Sequence, residues 1–395
     1  MSAPGPVSVD AAAVVDLLKT LVGIPSVNPS VAAGGAGEGA IARCLAGACE
    51  RLGLTVALEE VAPGRPNVIA VLPGADPSRG RSLLLNGHTD TVGAGAMEAP
   101  FSPSLRGDRL YGRGVFDMKC GLAAMVEAVA ALVRAGLRPR GDVVLTFAAD
   151  EEHASLGTAA IARTRRADAA IVTEPTQLRI CIAHKGFAWV MLRTTGRAAH
   201  GSDHAAGIDA IAHMGRVLSA LERFDREVLA RRSHPLLGRP SLHASLISGG
   251  EGPSTYPPSC ELGVERRTLP GETPEGVRAE FDAILDRLRR EDPRFQAAAE
   301  LVIARPGLEV DRGTPIVRAL HAALERHVTP SPEYVGQAAW FDAALLAEAG
   351  IPAVIFGPSG AGWHAAVEYA DLPSVAACAQ VLAQVILDFC GTAPA

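Results

Sequence analysis

Four apolar runs of this chain each end on a histidine or a carboxylate. SLLLNG runs into His88-Thr89-Asp90, VVLTFAA into Asp150-Glu151-Glu152, AAIVT into Glu174, and PAVIFGPSGAGW into His364, with Glu368 four residues on. A further acid, Asp117, stands in GRGVFDMK just before a helical pattern that opens near Gly121. Imidazoles and carboxylates without a thiolate suit a hard-to-borderline divalent cation such as zinc, cobalt or manganese. A catalytic zinc takes three protein ligands and keeps one position for water. Two histidines and four carboxylates are therefore enough for two cations if one carboxylate is shared. His88 and Asp90 are two apart and face the same way in extended chain, which makes Asp90 a candidate to hold the imidazole from behind. The side chains of Glu151 and Glu152 diverge, so one can ligate while the other stays free as a base.

Any one of these motifs alone is ordinary polarity. Together they fall where open α/β sheets bind ligands, beyond the carboxyl ends of the strands. Strands are expected over 67–72, 82–86, 142–148 and 168–173, with helices over 37–52 and 121–135, each closed by a glycine. The strands are apolar on both faces, as in a mainly parallel sheet between helix layers. The middle of the chain reads as strand 187–194, helix 207–231, strands 242–248 and 260–268, helix 274–290 and strand 299–303. That β-α-β-β-α-β order is a split βαβ unit able to fold by itself. Helix and strand then alternate again over 315–327, 340–349, 353–356 and 372–389. One α/β domain interrupted by an inserted α+β domain is the simplest architecture, with parts at 1–182, 183–303 and 304–395.

The 395 residues carry Lys+Arg 37 against Asp+Glu 43, a net charge of −6, so no global positive field serves nucleic acid. Only three of the basic residues are lysines, Lys19, Lys119 and Lys185; Lys119 is expected to fix the Asp117 loop and Lys185 the crossover into the inserted domain. Seven scattered cysteines without a C-x-x-C pair argue against a disulfide framework and fit a reducing cytoplasm. The opening MSAPGPVSVDAAAVVDLLKT lacks a basic segment followed by an apolar run, so no signal peptide is expected. The apolar stretches read as interrupted by charge, and no membrane span is expected. GAGEGA at 35–40 fits a loose nucleotide fingerprint, but a loop with Asn28-Pro29 precedes it rather than a strand, which argues against a dinucleotide site.

The series LNGHTD, GRGVFDMKCGLAAM, ADEE, TEPT and GWHAAVEY closely resembles the co-catalytic zinc amidohydrolase and peptidase family, over nearly the whole chain. That family includes acetylornithine deacetylase, succinyl-diaminopimelate desuccinylase, aminoacylase and carboxypeptidase G. The resemblance implies a zinc-exopeptidase-like α/β/α catalytic domain interrupted by a ferredoxin-like lid and dimerisation domain. It implies two divalent metal ions per subunit, zinc or else cobalt or manganese. His88, Asp117 and Glu174 would hold one and Asp117, Glu152 and His364 the other, with Asp90 orienting His88 and Glu151 as general base. It further implies a cytoplasmic homodimer in which His200 faces the substrate and Arg267 binds its carboxylate. The expected reaction is hydrolysis of amide bonds in N-acyl amino acids, with a dipeptidase or glutamate-type carboxypeptidase as the alternative. Cys120, Ser254, Asp209 and His204 depart from the family pattern, which touches substrate choice and no expected metal ligand.

Overall fold

Strands without a polar face have to lie between two layers of helix, and Leu83–His88 and Ala169–Val172 are buried at every residue. The computed structural model describes residues 7–392, so the first six residues of the segment read as lacking a signal peptide fall outside it. Across the main sheet the strands run Thr55–Ala62, Arg65–Leu72, Val143–Ala148, Leu83–His88, Ala169–Val172, Ala353–Ile355 and Ile180–His184. The central pairings are parallel and the outer ones antiparallel, so the sheet is mixed at its margins. Helices Ala11–Val22, Cys120–Arg134, Pro315–His327 and Leu372–Cys390 pack against one another, as do Leu156–Thr164 and Ala343–Glu348. The architecture is mixed α/β.

The chain divides into two compact units. One comprises the chain up to Ile182, Val310–Val335 and the stretch from Phe341 on; the other is Ala183–Glu309 with Gly336–Trp340. The second unit thus extends beyond residue 303, because Leu308 and Glu309 pair with His184 and Ala183. Its sheet runs Ser241–Gly249, Ser259–Thr268, Gly186–Thr195 and Gln296–Arg305, antiparallel throughout. Alternate side chains of these strands join helices Ala210–Glu227 and Pro274–Glu291 in one core. Asp209 caps the first of these helices by accepting the Ala212 amide.

Three expectations need correction. The long helix over 207–231 is shorter, Ala210–Glu227, followed by a separate tight turn at Leu229–Arg231. A small sheet of Gly360–Ala361, Tyr369–Asp371, Arg109–Tyr111 and Ser104–Arg106 escaped the sequence reading, since strands of two or three residues leave no periodicity. Leu372–Cys390, with Asp388 its only charge, is long and apolar enough by length and composition to cross a membrane. Its apolar residues instead pack within the first unit against Cys120–Arg134 and Pro315–His327.

Candidate metal centre

The parallel strands Val143–Ala148, Leu83–His88 and Ala169–Val172 lie side by side, so their carboxyl ends bring the Asp150–Glu152 turn, His88 and Glu174 together. The Asp117 segment crosses close over His88. A Cβ on Gly87 would stand 2.6 Å from the side-chain tips of Met118 and Leu122, which would have to move aside, so glycine accommodates the approach without displacement. The His88 amide donates to Met118 Sδ (3.2 Å). His88 Nδ1 lies 3.0 Å from the Asp90 carbonyl oxygen and 3.5 Å from Asp90 Oδ1. Both are acceptors, so Nδ1 carries a proton and Nε2 is the atom turned to the cluster.

His88 Nε2 lies 3.1 Å from Asp117 Oδ1, 3.4 Å from Glu174 Oε1 and 4.0 Å from Glu151 Oε2. The other oxygen of Asp117, Oδ2, lies 3.3 Å from His364 Nε2, which is 3.1 Å from Glu152 Oε2. One carboxylate therefore spans the two histidines, and Glu151 and Glu152 diverge toward opposite ends of the cluster. The ligand atoms of His88, Glu151 and Glu174 lie within 4.8 Å of one another, as do those of His88, Asp117 and Glu152.

Charge in this cluster is far from balanced. Burial, together with the neighbouring Asp342 and Glu174 charges, holds the Glu151 carboxyl well above the usual carboxylate range. Burial does the same to Glu174, and to the nearby Asp342, which is pushed up to about 6. Burial would lower the His88 pKa, but Glu174 and hydrogen bonds to Asp117 and Asp90 raise it well above the ordinary histidine value. Hydrogen bonds to Asp117 and Glu152 bring His364 up to about 10. Glu152 Oε1 is buried and finds no hydrogen-bond partner among the described residues. A surplus of buried carboxylates, an Asp117 set between two imidazoles and an orphaned carboxylate oxygen make a donor set that divalent cations fit.

Asp90 does more than face His88. Its Oδ1 accepts the Glu151 amide (3.1 Å), and its Oδ2 accepts the Glu152 amide (3.1 Å) and Asn28 Nδ2 (2.7 Å). It thereby fixes the turn that carries both glutamates. Asn28 Nδ2 also donates to Asp150 Oδ1 (3.1 Å), which takes Arg65 Nη1 at 2.7 Å. Arg65 donates through Nε to Glu38 Oε2 (2.9 Å), and Glu38 Oε1 accepts the Asp150 amide (3.1 Å). Asn28, Glu38, Arg65 and Asp150 were not singled out from sequence as site residues. Glu38 sits inside GAGEGA, the segment set aside as a false nucleotide fingerprint, and its carboxylate serves this network.

Lys119 donates from Nζ to the carbonyl oxygens of Leu21 (3.0 Å) and Ile24 (2.9 Å), and burial brings its pKa down to about 7. The Cys120 thiol is buried and donates to the Phe116 carbonyl oxygen (3.3 Å); burial pushes its pKa up. Glu368 is not turned to the histidines, and backbone amides take up its carboxylate. His200 and Arg267 belong to the second unit. There His200 is exposed with Nδ1 2.8 Å from Ser202 Oγ, while Arg267 Nη2 lies 3.0 Å from Glu265 Oε1, its guanidinium over the Phe187 ring. The Ser254 carbonyl accepts the Gly201 amide (2.8 Å), and Lys185 Nζ donates to the Arg239 carbonyl (2.6 Å).

The family described as peptidase family M20/M25/M40 matches residues 84–388. The chain is 32% identical to acetylornithine deacetylase of Myxococcus xanthus over 343 residues, 85% of this chain and 87% of that one. It is 28% identical over 376 residues to N-formyl-4-amino-5-aminomethyl-2-methylpyrimidine deformylase of Bacillus subtilis, covering 88% of each. Among solved structures, the aminopeptidase PepT of Bacillus cereus resembles it with a TM-score of 0.78 at 20% identity, over 96% of this chain and 99% of that one.

Among the described residues, Arg65 is the one cation paired with the buried acids Glu38 and Asp150. Arg65→Ala leaves both carboxylates buried without it, and breaking a buried pair in this way costs about 3–5 kcal/mol. Urea unfolding should show a loss of that size. A loss under about 1 kcal/mol, the range of an exposed pair, would show that the network contributes little.

Proposed function

The chain belongs to peptidase family M20/M25/M40, and on that premise we propose that this hydrolytic enzyme cleaves the amide bond of N-acyl amino acids and related N-acyl amines at a pair of divalent cations. The observation that carries the reading is Asp117, whose two oxygens face His88 and His364 separately. His88, Asp117 and Glu174 would hold one cation, and Asp117, Glu152 and His364 the other. Zinc suits these ligands, with cobalt or manganese as substitutes. Such a pair, when bound, supplies Lewis-acid activation of a water and of the scissile carbonyl.

The chain's own residues do the rest. Asp90 holds the turn on which Glu151 stands. Glu151 accepts a proton from the attacking water on a carboxylate oxygen and returns it to the leaving nitrogen as the C–N bond breaks. The products are a carboxylate from the acyl group and a free amine. His200 is proposed to donate to the developing oxyanion and Arg267 to pair with a substrate carboxylate, both from the second unit. The proposal includes a cytoplasmic homodimer. In support, strand Ser241–Gly249 is a sheet edge, with Leu246 71% and Ile247 58% exposed, a surface that a second copy would cover. Cys44, Cys49, Cys120, Cys260, Cys378 and Cys390 form no disulfide, as in a reducing compartment.

One observation favours substrates with a planar or apolar group. Trp363, next to His364, stacks on Phe116 (5.8 Å between ring centroids) and meets Phe341 at 6.3 Å, yet stays 38% exposed. Such an indole shelf suits a planar ring, and one curated relative is named for a formylated pyrimidine.

Glu151→Gln keeps size but removes the base. Zinc per chain should stay at the wild-type value while the single-turnover rate falls at least about 10²–10⁴-fold. Asp117→Ala should lose most of both cations, so metal analysis showing full occupancy in that variant overturns the shared ligand. Substrate choice is tested with a panel of formyl, acetyl, succinyl and carbamoyl amino acids, aromatic members included, alongside dipeptides. Within it, Arg267→Ala should lower kcat/KM about 30-fold or more on carboxylate substrates, ~2–5 kcal/mol, and hardly at all on their amides. Equal wild-type rates on acid and amide would remove the carboxylate from the reading.

A further inference from the structure

The two cation positions differ in how firmly their protein ligands are held. His88 ends a central strand and is buried, whereas His364 sits in the loop between Gly360–Ala361 and Tyr369–Asp371 with its side chain 55% exposed. Tyr369–Asp371 pairs with Arg109–Tyr111, and this puts the His364 loop beside the chain leading to Asp117. Two charged side chains cross between these loops in opposite directions.

Glu368, from the His364 side, reaches the Asp117 segment. Its Oε2 accepts Arg113 Nη1 (2.7 Å) and the Gly114 amide (2.9 Å), and its Oε1 accepts the amides of Phe116 (2.9 Å) and Asp117 (3.1 Å). Arg113, from the Asp117 side, reaches back. Its Nη2 donates to the carbonyl oxygen of Ala365 (2.9 Å), the residue after His364, with Ala94 O at 3.5 Å. Both side chains are almost wholly buried. A buried carboxylate with four donors and a guanidinium that forks between it and a carbonyl favour this geometry, because a shift breaks charged hydrogen bonds away from water; Arg113 Nε itself finds no partner among the described residues.

We propose that Arg113 and Glu368 form a reciprocal clasp that fixes His364 relative to Asp117 and thereby sets the affinity of the second cation position. The inference rests on the metal pair proposed above. Glu368 meets Asp117 only at its backbone amide and Arg113 meets the His364 loop only at the Ala365 carbonyl, so both are positioning residues. The first position shares Asp117 but takes its other two ligands, His88 and Glu174, from the end of one sheet strand and just beyond the end of another, both outside the clasp. Loss of the clasp therefore divides two cations that otherwise share Asp117.

The substitutions follow from the hydrogen-bond directions. In Glu368→Gln the amide NH2 has to oppose one pair of the existing donors, either the Gly114 amide and Arg113 or the amides of Phe116 and Asp117. In Arg113→Lys the charge remains, but a single ammonium lacks the fork that joins Glu368 to the Ala365 carbonyl. The experiment titrates the metal-free wild type, Glu368→Gln and Arg113→Lys with Co(II), read by d–d absorption and calorimetry, alongside thermal melts without metal. Wild type should take up two equivalents. In Glu368→Gln the second should bind about 10–100-fold more weakly while the first is little changed, with Arg113→Lys between the two. Activity of Glu368→Gln should recover as Co(II) is raised to fill the second position.

A second equivalent bound as tightly in both variants as in wild type overturns the clasp. So does equal weakening of both equivalents together with a fall in the metal-free melting temperature, which would mark general packing. A wild type that takes up fewer than two equivalents instead overturns the metal pair itself, and the clasp with it.

Discussion

Carboxylates crowded at one end of a sheet repel one another, and the first unit gathers Asp117, Glu151, Glu152 and Glu174 around two imidazoles. Like charges at this separation in a partly dry site cannot all stay ionised without a compensating positive charge. That constraint shapes the surroundings. Separate parts of the chain deliver the acids, and the segments that bear Glu151–Glu152 and Asp117 are tied down by groups whose own charges are paired.

The ties are of two kinds. On the Glu151–Glu152 side, Asp90 accepts both backbone amides, and an Asn28, Asp150, Arg65 and Glu38 network stands behind it. On the Asp117–His364 side, Glu368 and Arg113 link two loops instead of bracing one. Both use carboxylates that accept main-chain N–H groups, so the backbone is oriented directly and the side chains stay free for chemistry. In a site where small displacements matter greatly to rate, this rigidity is part of the function.

The second unit meets a different constraint. Its helices cover one face of an antiparallel sheet, and the alternation along Gly186–Thr195 and Ser259–Thr268 puts apolar residues on that face. Arg266 and Arg267 show how strictly the period of two acts. Arg266 points inward, fully buried, and pairs with Glu272 and Glu280, while Arg267 points outward to Glu265 and Phe187.

What the sequence determined by itself was the chemistry and its approximate placement. An apolar run followed by His88, Glu151–Glu152, Glu174 or His364 is legible because a buried strand has a local signature and metal chemistry admits few residue types. The divergence of Glu151 and Glu152 was readable for the same local reason. The tertiary structure alone decided which oxygen of Asp117 faces which histidine, and which distant groups hold the loops. Glu38, Arg65 and Arg113 look like ordinary surface charges in the sequence, and Glu368, though legible beside His364, gives no sign there that it binds backbone amides far away along the chain. The short strands beside His364 and the burial of Leu372–Cys390 were hidden too. Spacing along a chain reports neighbours within a strand or a helical turn, whereas these contacts exist only once the folded sheet brings separate strand ends together.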